Sequence, residues 1–184
     1  MRYICRMKKK IVYLTGFMAS GKSTYGRILA NVLGWNYCDL DQVIVERERR
    51  EIVDIFKDSG EKYFRELETK VLKELSGFEN VVVSLGGGTI VNEENLAICK
   101  DTGVVIYLKV PVQRIFERLK RKTNRPLFRD LIIEGKHKEM IDKIGTMLSE
   151  REPYYLKADM VVQTDKRSMG KTIDYIAHQL RRYI

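Results

Sequence analysis

The sequence predicts an α/β fold built on a mostly parallel sheet. Short β-branched runs alternate with longer segments of helical period, and the first apolar run leads straight into a glycine-rich loop and then a helix. Strands are expected at Ile11–Leu14, Asn36–Asp39, Val81–Ser84, Val104–Leu108 and Met160–Gln163. Helices are expected at Lys22–Leu33, Gln42–Glu51, Ile52–Lys57, Glu61–Leu75, Glu93–Lys100, Val112–Lys120, Glu139–Glu150 and Ser168–Arg182. In the last of these, Met169, Ile173, Ile176, Ala177 and Leu180 mark one face at 3.6-residue period. Between Arg121 and Lys138 no clear period is visible, so a long functional loop is expected there.

At 184 residues, 44% hydrophobic and 32% charged, the chain has the size and composition of one globular domain. No apolar run approaches the ~20 residues of a membrane span, which excludes transmembrane and pore functions. Lys and Arg number 34 against 25 Asp and Glu, a net charge of +9. That excess is concentrated in two places. Arg2, Arg6, Lys8, Lys9 and Lys10 have no acidic neighbour among the first ten residues, and residues 114–138 carry nine basic and three acidic side chains. Specific nucleic-acid binding needs a basic face interleaved with aromatics, so none is expected from a tail and a loop. The basic start lacks the apolar stretch of a secretory signal. A cytoplasmic protein is expected, with a basic lead at residues 1–9, a single domain at 10–184 and no membrane partner. Three cysteines without a C-x-x-C pair and two isolated histidines disfavour a disulfide framework or a zinc site, leaving catalysis to carboxylates, Lys, Arg and backbone amides.

Gly16-Phe17-Met18-Ala19-Ser20-Gly21-Lys22-Ser23 fits G-x-x-x-x-G-K-[ST]. Such a loop turns the N–H groups of Gly16, Ala19, Ser20, Gly21 and the Ser23-Thr24 pair toward phosphate oxygens. Lys22 reaches the β and γ phosphates, and the Ser23 hydroxyl is placed to ligate Mg²⁺. The Asn-Lys-x-Asp string of guanine-specific GTPases is missing, and the third strand ends Ser84-Leu85-Gly86 rather than in the Asp of motor ATPases. The acidic residues instead close the second strand, as Asp39-Leu40-Asp41.

At the C-terminal edge of an open sheet, one of these carboxylates is placed to assist Mg²⁺ through water and the other to accept a hydroxyl proton. The competing reading makes Asp41 an N-cap and leaves Asp39 solvated. Gly86-Gly87-Gly88 after the third strand permit close approach of a small polar molecule to main-chain N–H groups, or form a plain turn. Glu61 and Glu68 flank Arg65 at i−4 and i+3, a spacing that fixes a guanidinium or simply decorates a helix surface.

From about Lys10 onward the ordered series of motifs resembles shikimate kinase. It comprises Gly16-Phe17-Met18 opening the phosphate loop, Gly26-Arg27, Asp39-x-Asp41, Gly60-Glu61-x-x-Phe64-Arg65-x-x-Glu68, the triple glycine, Arg125-Pro126-Leu127, and Arg151 before Tyr154-Tyr155. The resemblance implies a P-loop fold of the nucleoside monophosphate kinase type, three-layered, with a five-stranded parallel sheet and a mobile lid at about 121–138. It implies transfer of the ATP γ-phosphoryl group to the 3-hydroxyl of shikimate, with Mg²⁺, by a monomer. Asp41 would bind the acceptor and serve as base, Asp39 would lie near Mg²⁺, and Arg65, Arg151 and Gly86–Gly88 would hold the shikimate carboxylate and ring. Arg125 would be the lid arginine, Arg118 would lie beside adenine, and Arg167 would belong to the adenine loop.

Two departures stand out: Met18-Ala19-Ser20 where Met-Gly-Ala is common in the family, and Arg167-Ser168-Met169 where many relatives have Asn-Pro. A gluconate or nucleoside monophosphate kinase is the alternative with the same fold. The adenylate-type Asp-Gly-Phe-Pro-Arg string is absent.

Overall fold

The structure, a computed structural model, describes residues 9–120 and 126–184. Five parallel strands, β1 (Ile11–Thr15), β2 (Asn36–Asp39), β3 (Val81–Ser84), β4 (Val104–Lys109) and β5 (Met160–Gln163), lie in the order β2-β3-β1-β4-β5. Around them run α1 (Lys22–Leu33), α2 (Leu40–Glu48), α3 (Ile52–Leu75), α4 (Glu93–Thr102), α5 (Val112–Leu119), α6 (Pro126–Ile133), α7 (His137–Tyr155) and α8 (Met169–Leu180).

Strand periodicity generates the layers. Ile11 and Tyr13 of β1, with Val83, Val105 and Tyr107, pack with Ile44 of α2, Val71 and Leu72 of α3, Ile115 of α5 and Ile144 of α7. The intervening residues Val12, Leu14, Val82, Val104, Ile106 and Leu108 face the other way, onto Leu29 of α1 and Ile173 and Ile176 of α8. A sheet buried on both faces needs apolar residues at consecutive positions, and β1 and β4 have them.

Register places the site. Asp39 lies level with Ser84, Ser84 with Leu14, and Thr15 with Tyr107. The loops leaving β1, β2 and β3 therefore emerge together along the carboxyl edge of the sheet, next to the point where the strand order reverses.

The structure differs from the sequence expectation in four places. α2 begins at Leu40 rather than Gln42, so Asp41 sits in its first turn; Asp39 occupies the N-cap position without a side-chain cap bond. The expected helices 52–57 and 61–75 run on with a break at Gly60, whose φ of 81° and ψ of 168° suit only glycine. Residues 126–138, expected as loop, hold α6, a turn at Gly135 (φ 67°) and the start of α7. Phe128 of α6 is fully buried beside Met140 and Ile144 of α7, and an eight-residue helix resting on one buried aromatic is too short to announce itself by period. Lys9, assigned to the basic lead, donates to the Lys100 and Gly103 carbonyls at 2.5 and 2.8 Å, so the charged start is tied down by its ninth residue. The rest of that lead, residues 1–8, lies outside the described residues. Among the described residues, no helix is long and apolar enough to cross a membrane.

Gly26 is where α1 comes closest to the sheet. A Cβ there would lie 2.6 Å from Tyr37 Cε2 and 3.0 Å from Ser84 Oγ. Gly26→Ala is expected to force Tyr37 aside and cost about 1–3 kcal/mol of stability, read by denaturant unfolding. Unchanged unfolding would show that this contact is loose.

Candidate active site

The phosphate loop joins β1 to α1. Gly16 has φ 141°, and a Cβ on it would lie 2.8 Å from the Leu108 carbonyl, so the corner demands glycine. Gly21 (φ 99°) is the N-cap of α1, and no side chain caps it, which leaves first-turn N–H groups for phosphate oxygens. Lys22 Nζ donates to the Gly16 and Phe17 carbonyls at 2.7 and 3.1 Å, keeping the ammonium on the loop it serves.

The Ala19 carbonyl accepts from Arg118 Nη1 at 2.8 Å. Ala19, Gly21, Thr24, Tyr25, Arg118 and Met169 line a cleft of ≈ 360 Å³ that opens beside the phosphate loop. The lining takes in Met169 but not Arg167, whose guanidinium lies 4.7 Å from the Tyr175 ring centroid.

At the end of β2 the Ser23 hydroxyl donates to Asp39 Oδ2 at 2.9 Å. The Tyr37 hydroxyl lies 3.2 Å from both that oxygen and Ser84 Oγ. Burial raises the Tyr37 phenol above its ordinary pKa, so it remains a proton donor to its neighbours at neutral pH. A hydroxyl and a carboxylate in contact at the loop's rim form a hard-oxygen pair of the kind that suits Mg²⁺, whose other positions are filled by phosphate and water. Asp41 points elsewhere: its Oδ1 is 2.8 Å from where a Cβ on Gly86 would stand.

The triple glycine gathers the remaining groups. Beyond Asp41, a Cβ on Gly86 would also meet Glu68 Oε1 and Thr89 Oγ1, each at 3.0 Å. At Gly87 it would stand 3.5 Å from Arg151 Nη1 and 3.7 Å from the Met18 nitrogen, and at Gly88 2.9 Å from both Arg65 Nη atoms. Arg65 donates to Glu68 Oε2 at 2.9 Å and to Glu61 Oε1 at 3.2 and 3.3 Å. Burial opposes the Arg65 charge, but the Glu68 and Glu61 carboxylates outweigh it and hold its pKa above the usual value. Arg151 of α7 lies over the Phe17 ring at 5.9 Å and reaches the Gly87 carbonyl at 3.5 Å. The fold thus brings Asp41, Arg65 and Arg151 against the Gly86–Gly88 turn, which in turn lies beside the phosphate loop that carries Lys22. Arg125 lies outside the described residues.

A model of the family described as shikimate kinase matches residues 18–181. The chain belongs to the shikimate kinase family. A shikimate kinase of Chloroherpeton thalassium is 42% identical over 182 residues, covering 96% of this chain and 95% of that one. A crystal structure of Acinetobacter baumannii shikimate kinase in complex with shikimate matches at a TM-score of 0.84 and 32% identity, covering 95% and 94% of the two chains. A gluconokinase of Sinorhizobium meliloti matches at 0.58 and 16% identity, which speaks for the fold alone. The five-stranded parallel P-loop fold expected from the resemblance is the fold of this member.

Sequence reading missed what lies behind the shikimate kinase motifs. Glu68, 1% exposed, is held from behind by the Thr89 hydroxyl at 2.6 Å, and Asn95 Nδ2 donates to the Thr89 carbonyl at 3.0 Å. The Tyr155 hydroxyl donates to the Gly87 carbonyl. Thr89 and Asn95 carry no pattern of their own, whereas Tyr155 follows Arg151 at the helical i+4 spacing, a signal available before folding is known.

Ala19, at the family's usual glycine position, has φ 59°. A Cβ in the left-handed region costs about 1–2 kcal/mol, partly offset by the ~0.5 kcal/mol or more that glycine loses through its freer unfolded state. Ala19→Gly is therefore expected to raise the unfolding free energy by up to about 1 kcal/mol. A stability loss in calorimetry would show that the methyl group is packed favourably.

Proposed function

We propose that this chain uses ATP to phosphorylate the 3-hydroxyl of shikimate, giving shikimate 3-phosphate and ADP on the route to chorismate. It is an ATP-dependent kinase, a phosphotransferase with an alcohol acceptor. One observation carries the choice of acceptor: two guanidinium groups, Arg65 and Arg151, converge on a side-chain-free turn opposite Asp41 and beside the phosphate loop. Guanidinium pairs recognise a carboxylate, and a carboxylate side chain recognises hydroxyls. Shikimate offers both on one rigid ring.

In this reading Lys22 leaves the loop carbonyls for the β and γ phosphates, and the amides of Gly16, Ala19, Ser20, Gly21, Ser23 and Thr24 cradle them. Arg118 and the 169 end of the last loop bound the adenine, with Arg167 at the rim. Arg65, Arg151, Gly87 and Gly88 hold the carboxylate and ring. Asp41 orients the 3-hydroxyl and takes its proton. Ser23 and Asp39 would hold Mg²⁺, which when bound neutralises charge on the phosphates. The transition state is loose, so positioning and electrostatic stabilisation carry the rate. Residues 121–138, α6 included, form the lid, and Arg125 within it meets the transferring phosphate. Action as a monomer is proposed. The cytoplasm is the compartment proposed, since it supplies ATP.

ADP release measured with shikimate, gluconate and nucleoside monophosphates as rival acceptors tests this directly. Turnover with shikimate alone is expected, and preference for either rival would reassign the enzyme. Asp41→Asn keeps size and one acceptor oxygen but removes the base, so turnover is expected to fall more than about tenfold, roughly 1.4 kcal/mol, with nucleotide affinity unchanged. Since Asp39, not Asp41, stands at the N-cap position of α2, a near-silent change would count against the acceptor role of Asp41. Arg65→Lys keeps the charge but loses the planar fork, and is expected to weaken shikimate about tenfold or more while sparing ATP. Equal binding of shikimate and its methyl ester would contradict a carboxylate clamp.

A further inference from the structure

The Gly87 carbonyl is approached twice from α7. The Tyr155 hydroxyl donates to it directly, and Arg151 Nη1 stands 3.5 Å away, at the outer limit of a hydrogen bond. The two residues are four apart on one helix and so share a face. Arg151 is thus in two roles: it touches the acceptor turn, and it is the guanidinium that the shikimate reading assigns to the substrate carboxylate.

Behind the turn, Tyr155 is fully buried and its ring lies tilted against that of Tyr107, centroids 5.0 Å apart. Tyr107 in turn stands under the phosphate loop, its Cδ2 3.5 Å from where a Cβ on Gly16 would be. Two buried tyrosine rings therefore fill the space between the donor loop and the acceptor turn. Burial, opposed by the Arg151 charge and by a hydrogen bond from Arg151, pushes the Tyr155 phenol up to about 12, so it keeps its proton at neutral pH. The other charged group against this pair is Glu152, which accepts from the Tyr107 hydroxyl at 3.2 Å and pairs with Lys109 at 2.9 Å.

We propose that Tyr155 is a positioning residue for the acceptor: its hydroxyl satisfies and fixes the Gly87 carbonyl, which leaves the Arg151 guanidinium available to the shikimate carboxylate. A half-buried carbonyl takes whatever donor is in reach. With the phenol in place the donor is Tyr155, and Arg151 bonds the phenol while only reaching toward the carbonyl at 3.5 Å. Without it, Arg151 is the nearest replacement and is drawn off the substrate. Tyr155 thereby sets both the shape of the turn and the freedom of the arginine beside it. This inference rests on the shikimate reading of the site.

Tyr155→Phe tests it, because the ring that packs on Tyr107 is kept and only the donor is lost. The expected result is a rise in KM for shikimate of about three- to tenfold, the size of one net hydrogen bond, with KM for ATP within about twofold of wild type. Binding of shikimate methyl ester should change little. In combination with Arg151→Lys the two effects should fall short of additive, since both act on one carboxylate. Tyr107→Phe, which removes a buried hydroxyl facing Glu152 instead of Gly87, should leave KM for shikimate unchanged. An unaltered shikimate KM in Tyr155→Phe would overturn the proposal. So would a parallel rise in both KM values with a lowered Tm, or an equal effect from Tyr107→Phe.

Should Tyr155→Phe not fold, the Tyr155 hydroxyl proton of the wild type serves, observed by NMR through its contacts to the Gly87–Gly88 backbone. Its persistence at saturating shikimate supports the proposal, and its loss refutes it. A wild-type enzyme inert toward shikimate would remove the functional reading itself. An active wild type with a silent Tyr155→Phe would remove only the role of Tyr155.

Discussion

The site depends on a turn that has no side chains. At Gly86 a single methyl would collide with the Asp41 carboxylate, and at Gly88 with the Arg65 guanidinium. At Gly88 the clash is hard to relieve, because the Arg65 guanidinium is itself held by Glu61 and Glu68. The turn is what allows the Asp41 carboxylate, two guanidiniums and the phosphate loop to come close to one another. Its position is in turn set by β3, which pairs with β1 on one side and β2 on the other, in register with both.

Rigidity on the acceptor side comes from charge buried with its partners. Glu68 is almost wholly enclosed, yet it has Arg65 on one oxygen and Thr89 on the other. A carboxylate enclosed in this way is tolerable only because both oxygens are satisfied, and removing either partner would leave an uncompensated charge. The arrangement fixes the guanidinium plane before a substrate arrives, which lowers the entropic cost of capturing a carboxylate. On the donor side the equivalent fixing is done by backbone: Gly16, Ala19 and Gly21 all have positive φ, and the loop's shape follows from that.

The charge distribution fits this division of labour. A chain with a net charge of +9 invites a nucleic-acid reading, yet the basic residues gather at the start and across residues 114–138. Arg118, within the second group, already touches the phosphate loop through the Ala19 carbonyl. Positive charge beside a triphosphate site raises local nucleotide concentration and neutralises charge during transfer.

All five strands and the phosphate loop were legible in the sequence: β1, β3 and β4 are continuous apolar runs buried on both faces, the edge strands β2 and β5 are short runs between helical segments, and a G-x-x-x-x-G-K-[ST] turn is a local pattern. The spacing of Glu61, Arg65 and Glu68 and the run of glycines were legible too, although on spacing alone each also suited an ordinary helix surface or a plain turn. Three things were not. α6 escaped because its helix is decided by one aromatic, Phe128, finding a pocket beside α7, and such a pocket exists only once α7 is packed. The start of α2 was misjudged because Asp39 and Asp41 are equally good caps on paper; the sheet register holds Asp39 by Ser23 and sends Asp41 to Gly86. The supports Thr89 and Asn95 carry no pattern of their own and matter only once Thr89 is packed against Glu68, 21 residues earlier. Sequence alone determined the fold and the chemistry on offer, since periodicity and loop conformation are short-range. Only the tertiary structure decided which carboxylate meets Ser23, which meets Gly86 and what holds each arginine, since those depend on contacts between residues as far as 99 positions apart.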